Sequence, residues 1–362
     1  MKTNAELWVI KIGSNSLLKE DKRLNIQALE DLCQQIKCLR DQNIQVILVS
    51  SGAVTAGKGL KSEITSSQGE VAAEQVRAAL GQPYLMETYR KILADLGIAM
   101  GQVLITKNDF DENDTTTNIH NCIQCLLENN ILPIVNENDV TSVRELMFTD
   151  NDELASLLAL QFSADKFVLL TEVKGLYDKN PHDPTAQLIP EVKNLEDAKQ
   201  YITDEKSHFG RGGMLPKIRS CNKAAHMGCA CLITSLATQD VLIQIVNGEK
   251  CGTWFPPRED ISLNNFKKRL LHQFSRAKGK IIIDATATKL FKDHSRARSL
   301  LPVGILDVQG DFNKDDLVEV LGADETHIGL GIAEYDAQTA QEYAGLQNKP
   351  FLIHYDRFFV YQ

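Results

Sequence analysis

Two lysines stand where an anion would meet them. Lys11 interrupts the otherwise apolar run Leu7–Ile12 (LWVIKI) and is followed at once by Gly13 and Ser14. A lysine in a buried strand is costly unless it meets an anion, and a Gly-Ser backbone lets a phosphate approach closely. An edge or snorkelling lysine is the plainer reading of the same pattern. Lys217 closes the run Gly212, Gly213, Met214, Leu215, Pro216, Lys217, where a helix should begin and Pro216 fits its first turn. A Gly-rich turn, free helix amides and a lysine together make an anion cradle. At the end of another apolar run, Ser50, Ser51 and Gly52 open a further helix, as an ordinary cap or as an anion site. Asn136, Glu137, Asn138 and Asp139 (NENDV) and then Asp150 and Asn151 (FTDNDELASLLA) crowd two loops. Asp152 reads as the cap or dipole partner of the helix that follows. The other acids and amides exceed what capping needs and suit an amino-acid zwitterion, the acids facing its ammonium; a solvated acidic loop is the alternative.

The elements that must position these residues alternate. Leu7–Ile12, Ile44–Val49, Ala99–Ile105, Ile131–Val135, Phe167–Leu170 and Ala230–Ile233 read as strands. Between them, residues 25–42, 70–96, 114–129, 151–162 and 214–227 carry helical periodicity. Near-continuous apolar strands alternating with helices predict a mainly parallel sheet covered on both faces. Ligands of such sheets bind at the carboxyl ends of the strands, where the polar loops fall. After Pro256 and Pro257 the pattern changes. Residues 278–362 read as a small, mainly β, barrel-like domain with strands Lys280–Asp284, Gly304–Val308, Leu317–Val320, His327–Ala333 and Phe351–His354.

The chain of 362 residues suits about two domains. It carries 39 Lys and Arg against 48 Asp and Glu, a net charge of −9, which argues against a protein that coats nucleic acid or anionic membrane. The first apolar run is cut by Lys11 and no stretch reaches 18 apolar residues, so a cytoplasmic protein without a membrane partner is expected. The eight cysteines are then reduced thiols, and Cys122 and Cys125, on one face of a helical pattern, read as buried and inert. No H-E-x-x-H pair and no G-x-x-x-x-G-K-[ST] loop is present.

The segments SSGAVTAG, NENDV, FTDNDELASLLA, TEVKGLYDKNPHDP and GGMLPK, in this order, resemble the amino acid kinase family, and within it the glutamate 5-kinase family. The tail, with RSLLPVGI, is similar to a PUA domain, so the resemblance spans essentially the whole chain. It implies a three-layer αβα fold with a mainly parallel central sheet over residues 1–257, a linker over 258–276 and a PUA-like domain over 277–362. It further implies ATP with Mg2+ bound mainly through the ATP phosphates, and L-glutamate as phosphoryl acceptor in the first step of proline biosynthesis. Proline as inhibitor, a homo-oligomer (dimer or tetramer) and contact with the next enzyme of the pathway belong to the same implication. Residue by residue, Lys11 and Lys217 match the lysines that grip the transferring group, and Asp150 the aspartate that orients them. Ser51, Asp139 and Asn151 match the glutamate site. Lys11, Thr171, Glu172 and the run Arg211, Gly212, Gly213, Met214, Leu215, Pro216 and Lys217 match the ATP site. Three positions depart from the family pattern: Arg211 and Pro216 replace threonines, and Glu172 replaces an aspartate. All three bear on nucleotide contacts, and Arg211 could itself reach a phosphate.

The rivals are other acid kinases of the same fold, acting on aspartate, N-acetylglutamate, carbamate or UMP, and an RNA-binding protein acting through its tail. Residues 276–362 hold ten Lys and Arg against thirteen Asp and Glu, a net of −3, which disfavours RNA.

Overall fold

Six apolar runs become the parallel strands of one sheet: β1 (Leu7–Ile12), β2 (Gln45–Ser50), β3 (Met100–Ile105), β4 (Leu132–Glu137), β5 (Lys166–Thr171) and β6 (Ala230–Ser235). A short β7 (Thr253–Phe255) closes one edge antiparallel to β6, giving the order β3-β4-β2-β1-β5-β6-β7. The computed structural model describes residues 5–19, 21, 23–61, 63–67, 69–110, 113–141, 151–181, 183–193, 198, 213–257, 277–292, 298–324 and 326–360. The chain divides into two units, Met1–Ile261 and Ser262–Gln362; the expected linker, 258–276, lies outside the described residues.

Register lines up the carboxyl ends of these strands. Ile12 pairs with Ser50 and with Leu170, Thr171 with Ser235, and Ile105 with Glu137. Pro133 is accommodated in β4 because pairing with β2 begins one residue later, at Ile134.

Alternation along β1 assigns its two faces. Trp8, Ile10 and Ile12 enter a core shared with Leu29, Leu32, Ile36 and Leu39 of α1 (Ile26–Asp41), Leu85, Tyr89 and Leu93 of α3 (Glu70–Asp95), and Val241, Leu242 and Ile245 of α7 (Val241–Val246). Asn25 caps α1, its side chain accepting from the amide of Ala28 at 3.3 Å. Lys11 lies on the opposite face of β1, where α5 (Asn151–Gln161) packs and α6 (Met214–His226) packs on α5 in turn. Among the described residues, α2 (Ala53–Leu60) and α4 (Asn113–Glu128) are the remaining helices of this unit.

Helices α2 and α3 meet backbone to backbone at two glycines. A Cβ on Gly57 would lie 1.9 Å from the carbonyl oxygen of Arg77, and one on Gly81 would lie 1.8 Å from that of Ala53. Only glycine permits this approach of backbone to backbone.

The second unit is a five-stranded mixed sheet, β12-β11-β10-β8-β9, made of β8 (Gly279–Ile283), β9 (Ile305–Gly310), β10 (Leu317–Gly322), β11 (His327–Ile332) and β12 (Phe358–Val360). Strands β8 and β10 pair in parallel and the other pairs are antiparallel. Its core gathers Ile281, Ile283, Phe291, Val318, Val320, Ile328 and Phe358. Two helices, α8 (Ala285–Lys292) and α9 (Ala337–Tyr343), were not foreseen from sequence. Phe351–His354 is not a strand: only Ile353 pairs, in an isolated bridge with Leu300. Leu352 and Ile353 are both buried, whereas a strand covered on one face buries alternate residues. The final strand is β12 instead.

All eight cysteines are free thiols. Cys122 and Cys125 lie exposed on α4, contrary to the expectation of buried thiols, whereas Cys33, Cys221, Cys229 and Cys231 are buried.

Candidate active site

The two lysines meet at one carboxylate. Lys11 arrives from the penultimate position of β1 and Lys217 from the first turn and a half of α6. Lys11 Nζ lies 2.5 Å from Asp152 Oδ1, and Lys217 Nζ lies 2.8 Å from Asp152 Oδ2. Asp152 is fully buried and both lysine side chains nearly so. Burial alone would raise the Asp152 carboxyl, but the ammonium groups of Lys11 and Lys217 outweigh it and hold it at about 2. Two cations and one anion leave one net positive charge in a low-dielectric position, which is what a transferring phosphoryl group needs.

The expectation put Asp150 between the lysines and gave Asp152 the part of a helix cap. Asp150 lies outside the described residues, and among the described ones the carboxylate that touches both lysines is Asp152. Asp152 stands in the first turn of α5, on the stripe that also buries Ala155, Ser156 and Ala159. That i, i+3, i+4, i+7 spacing was the sequence signal that it faces the sheet.

Beside this anchor runs a chain of side-chain amides. Asn151 opens α5 and donates through Nδ2 to Ser51 Oγ and to Asn136 Oδ1, both at 2.8 Å. Asn136, at the end of β4, donates through Nδ2 to Gln82 Oε1 at 2.8 Å. The two serines at the end of β2 divide the work. Ser50 Oγ bonds Tyr89 Oη in the core at 3.0 Å, and Ser51 faces the amides. Gly52, with φ of 109°, makes the left-handed turn between Ser51 and α2. Two predicted residues, Ser51 and Asn151, are thus in direct contact. The third, Asp139, sits half-buried in the turn after β4. Gln82 was missed, because nothing in the period of α3 marks it.

The expected ATP-site residues are spread along the ends of β5 and α6. Thr171 ends β5, but its hydroxyl is engaged within its own loop, donating to the Val173 carbonyl at 2.8 Å and accepting from the Val173 amide at 3.1 Å. Glu172 is exposed beside it. Gly213 is the extended N-cap of α6, and Met214, Leu215 and Pro216 form its first turn, where the missing Pro216 N–H costs no helical bond. Arg211 and Gly212 lie outside the described residues. Among the described residues no cluster of three or more His, Cys, Asp or Glu could hold a metal ion, and no helix is long and apolar enough to cross a membrane.

A family model for the amino acid kinase family matches residues 6–235, and one for the PUA domain matches residues 279–349. The chain belongs to the amino acid kinase family, a class of phosphotransferases, with a PUA domain following. Among solved structures, a carbamate kinase from Giardia lamblia bound to AMP-PNP superposes with a TM-score of 0.51 at 21% identity, over 70% of this chain and 99% of that one. Curated relatives narrow the class. The glutamate 5-kinase of Bacteroides thetaiotaomicron is 36% identical over 99% of this chain and 100% of its own length. That of Chlorobaculum tepidum is 36% identical over 97% and 96%. Within the class, the family is that of the glutamate 5-kinases.

Proposed function

We propose that the enzyme transfers the γ-phosphoryl group of ATP to the side-chain carboxylate of L-glutamate, giving glutamyl 5-phosphate and ADP, as the cytoplasmic first step of proline biosynthesis. The observation that carries this reading is the pair Lys11–Lys217 on buried Asp152, beside a chain of amides suited to a free amino acid. A carboxylate oxygen of glutamate forms the new bond to γ-phosphorus while the bond from phosphorus to the β,γ-bridging oxygen breaks, its electrons leaving with ADP. The acceptor has an ordinary pKa of about 4.3 and is already ionised, so no proton is taken and no general base is needed. The obstacle is charge: two like charges about 4 Å apart repel by about 4 kcal/mol at an effective dielectric of about 20. The net positive anchor offsets that repulsion, and both lysines remain fixed by Asp152 throughout. A magnesium ion held through the ATP phosphates would neutralise more of their charge; Asp152, already paired with two ammonium groups, would not be its ligand.

Proline shares the α-ammonium and carboxylate of glutamate, so it competes for the amide end of the site. Self-association belongs to the same reading. Val76, Leu80 and Tyr84, one turn apart along α3, are exposed apolar side chains suited to a second copy of the chain. The test is an ATP-dependent hydroxamate assay, in which hydroxylamine traps the acyl phosphate. Product is expected with L-glutamate and not with aspartate, N-acetylglutamate or carbamate. Trapping with one of those instead would overturn the substrate assignment.

A further inference from the structure

The polarity of the amide chain is fixed by a single backbone group. The Glu137 N–H donates to the Asn136 side chain at 2.9 Å, and a backbone amide can only donate, so the accepting atom is Oδ1. The other Asn136 atom is then Nδ2, a donor, and Gln82 must present Oε1 to it. The Asn151 atom that meets Asn136 Oδ1 must likewise be Nδ2. What remains at the two ends is one donor and one acceptor. Gln82 Nε2 and Asn151 Oδ1 are buried and have no hydrogen-bond partner among the described residues. Buried polar groups left unpaired are costly, and both polarities together call for a ligand that accepts at one end and donates at the other. A phosphate or a lone carboxylate would satisfy Gln82 Nε2 only.

We propose that Gln82 is a substrate-recognition residue, its Nε2 donating to the α-carboxylate of the amino-acid substrate while Asn151 Oδ1 accepts from the α-ammonium. This rests on the reading of the site as one for a free amino acid and adds which end of that amino acid Gln82 reads. Gln82 also follows Gly81, the residue in backbone contact with Ala53. The donor at one end of the chain and Ser51 at the other are therefore tied to the same helix crossing.

The test compares L-glutamate with its α-amide in the hydroxamate assay, using the full chain and its Gln82→Glu variant. Glutamate at this position keeps the acceptor for Asn136 and turns a carboxylate oxygen toward the α-carboxylate. The expected result is a rise in KM for L-glutamate of about 10- to 100-fold, the size of a hydrogen bond to a charged group, with KM for ATP unchanged. The α-amide, which can donate to the new carboxylate, should lose less, so the preference for L-glutamate narrows by at least about 10-fold. Equal losses on both substrates, or a fall in kcat alone, would overturn the assignment. Should the variant not fold, Gln82→Ala in its place still decides: an unchanged KM for L-glutamate removes Gln82 from recognition. An unsubstituted enzyme that phosphorylates neither compound overturns the proposed function itself, whereas an active enzyme with an indifferent variant overturns this inference alone.

Discussion

Replacing Asp152 by asparagine keeps its shape and removes the one negative charge between two buried ammonium groups. The Asp152 carboxyl is held at about 2 against an ordinary 3.8, which corresponds to about 2 kcal/mol of stability at neutral pH. Because the folded value is depressed, this contribution is present above about pH 4 and is lost as the pH falls through about 2. Asparagine mimics the protonated acid, so about 2 kcal/mol is the smaller expectation for Asp152→Asn; removing one partner of a buried pair more generally costs about 3–5 kcal/mol. Urea unfolding at pH 7 should therefore show a deficit of about 2–5 kcal/mol with an unchanged slope. Repeated at lower pH, the deficit should shrink, with about half of the pH-dependent part gone by pH 3. A bound polyphosphate, such as ATP, should recover part of the stability by returning negative charge to the lysines. A deficit below about 1 kcal/mol, or one that does not change between pH 7 and pH 3, would refute the idea that Asp152 is charged and holds both lysines.

Three further outcomes are expected. Lys11→Ala and Lys217→Ala should each fold and lose about 10²- to 10³-fold in turnover, measured by hydroxamate formation at saturating glutamate; near-normal turnover removes that lysine from the mechanism. Gly81→Ala gains about 1 kcal/mol of helix propensity, but the new Cβ would lie 1.8 Å from the Ala53 carbonyl oxygen, and backbone cannot rotate away. The clash should win by about 1–3 kcal/mol in urea unfolding and raise KM for glutamate by displacing Ser51; a stabilised variant would show that the crossing is looser. Proline at millimolar concentration should raise the apparent KM for glutamate without lowering the maximal rate, and insensitivity would separate this enzyme from proline control.

The strands of the first unit were readable because burial on both faces writes an unbroken apolar run, as in Leu7–Ile12 and Phe167–Leu170. The sites they position were readable in part. Lys11 is conspicuous as the only charge in its strand. Asp152 was harder to read: Asp150, Asn151 and Asp152 differ by one residue, and which of them faces the sheet is set by where α5 begins and how it is rotated. Its share of the Ala155, Ser156 and Ala159 stripe carries that information, but capping explained the same residue more simply. Gln82 is illegible in principle from one sequence, because its partner Asn136 is 54 positions away and its neighbours follow no amphipathic pattern. In the second unit, α8 (ATATKLFK) spans only eight residues, about two turns, too short for a helical period to stand out or for the helix to hold by itself, so tertiary packing decides. Phe351–His354 failed for the opposite reason, its apolar composition serving burial without a ladder.

The backbone crossing of α2 and α3 bears on how this enzyme tolerates drift. Where helices meet through side chains, each substitution in the interface shifts their spacing a little, and neighbouring positions must adjust. Here the spacing between Ser51 and Gln82 is set by peptide atoms, which every sequence shares. Core residues elsewhere can therefore change without moving the two ends of the amide chain relative to each other. The cost is concentrated at Gly57 and Gly81, two positions where a Cβ would run into backbone, and the substrate geometry inherits its constancy from them.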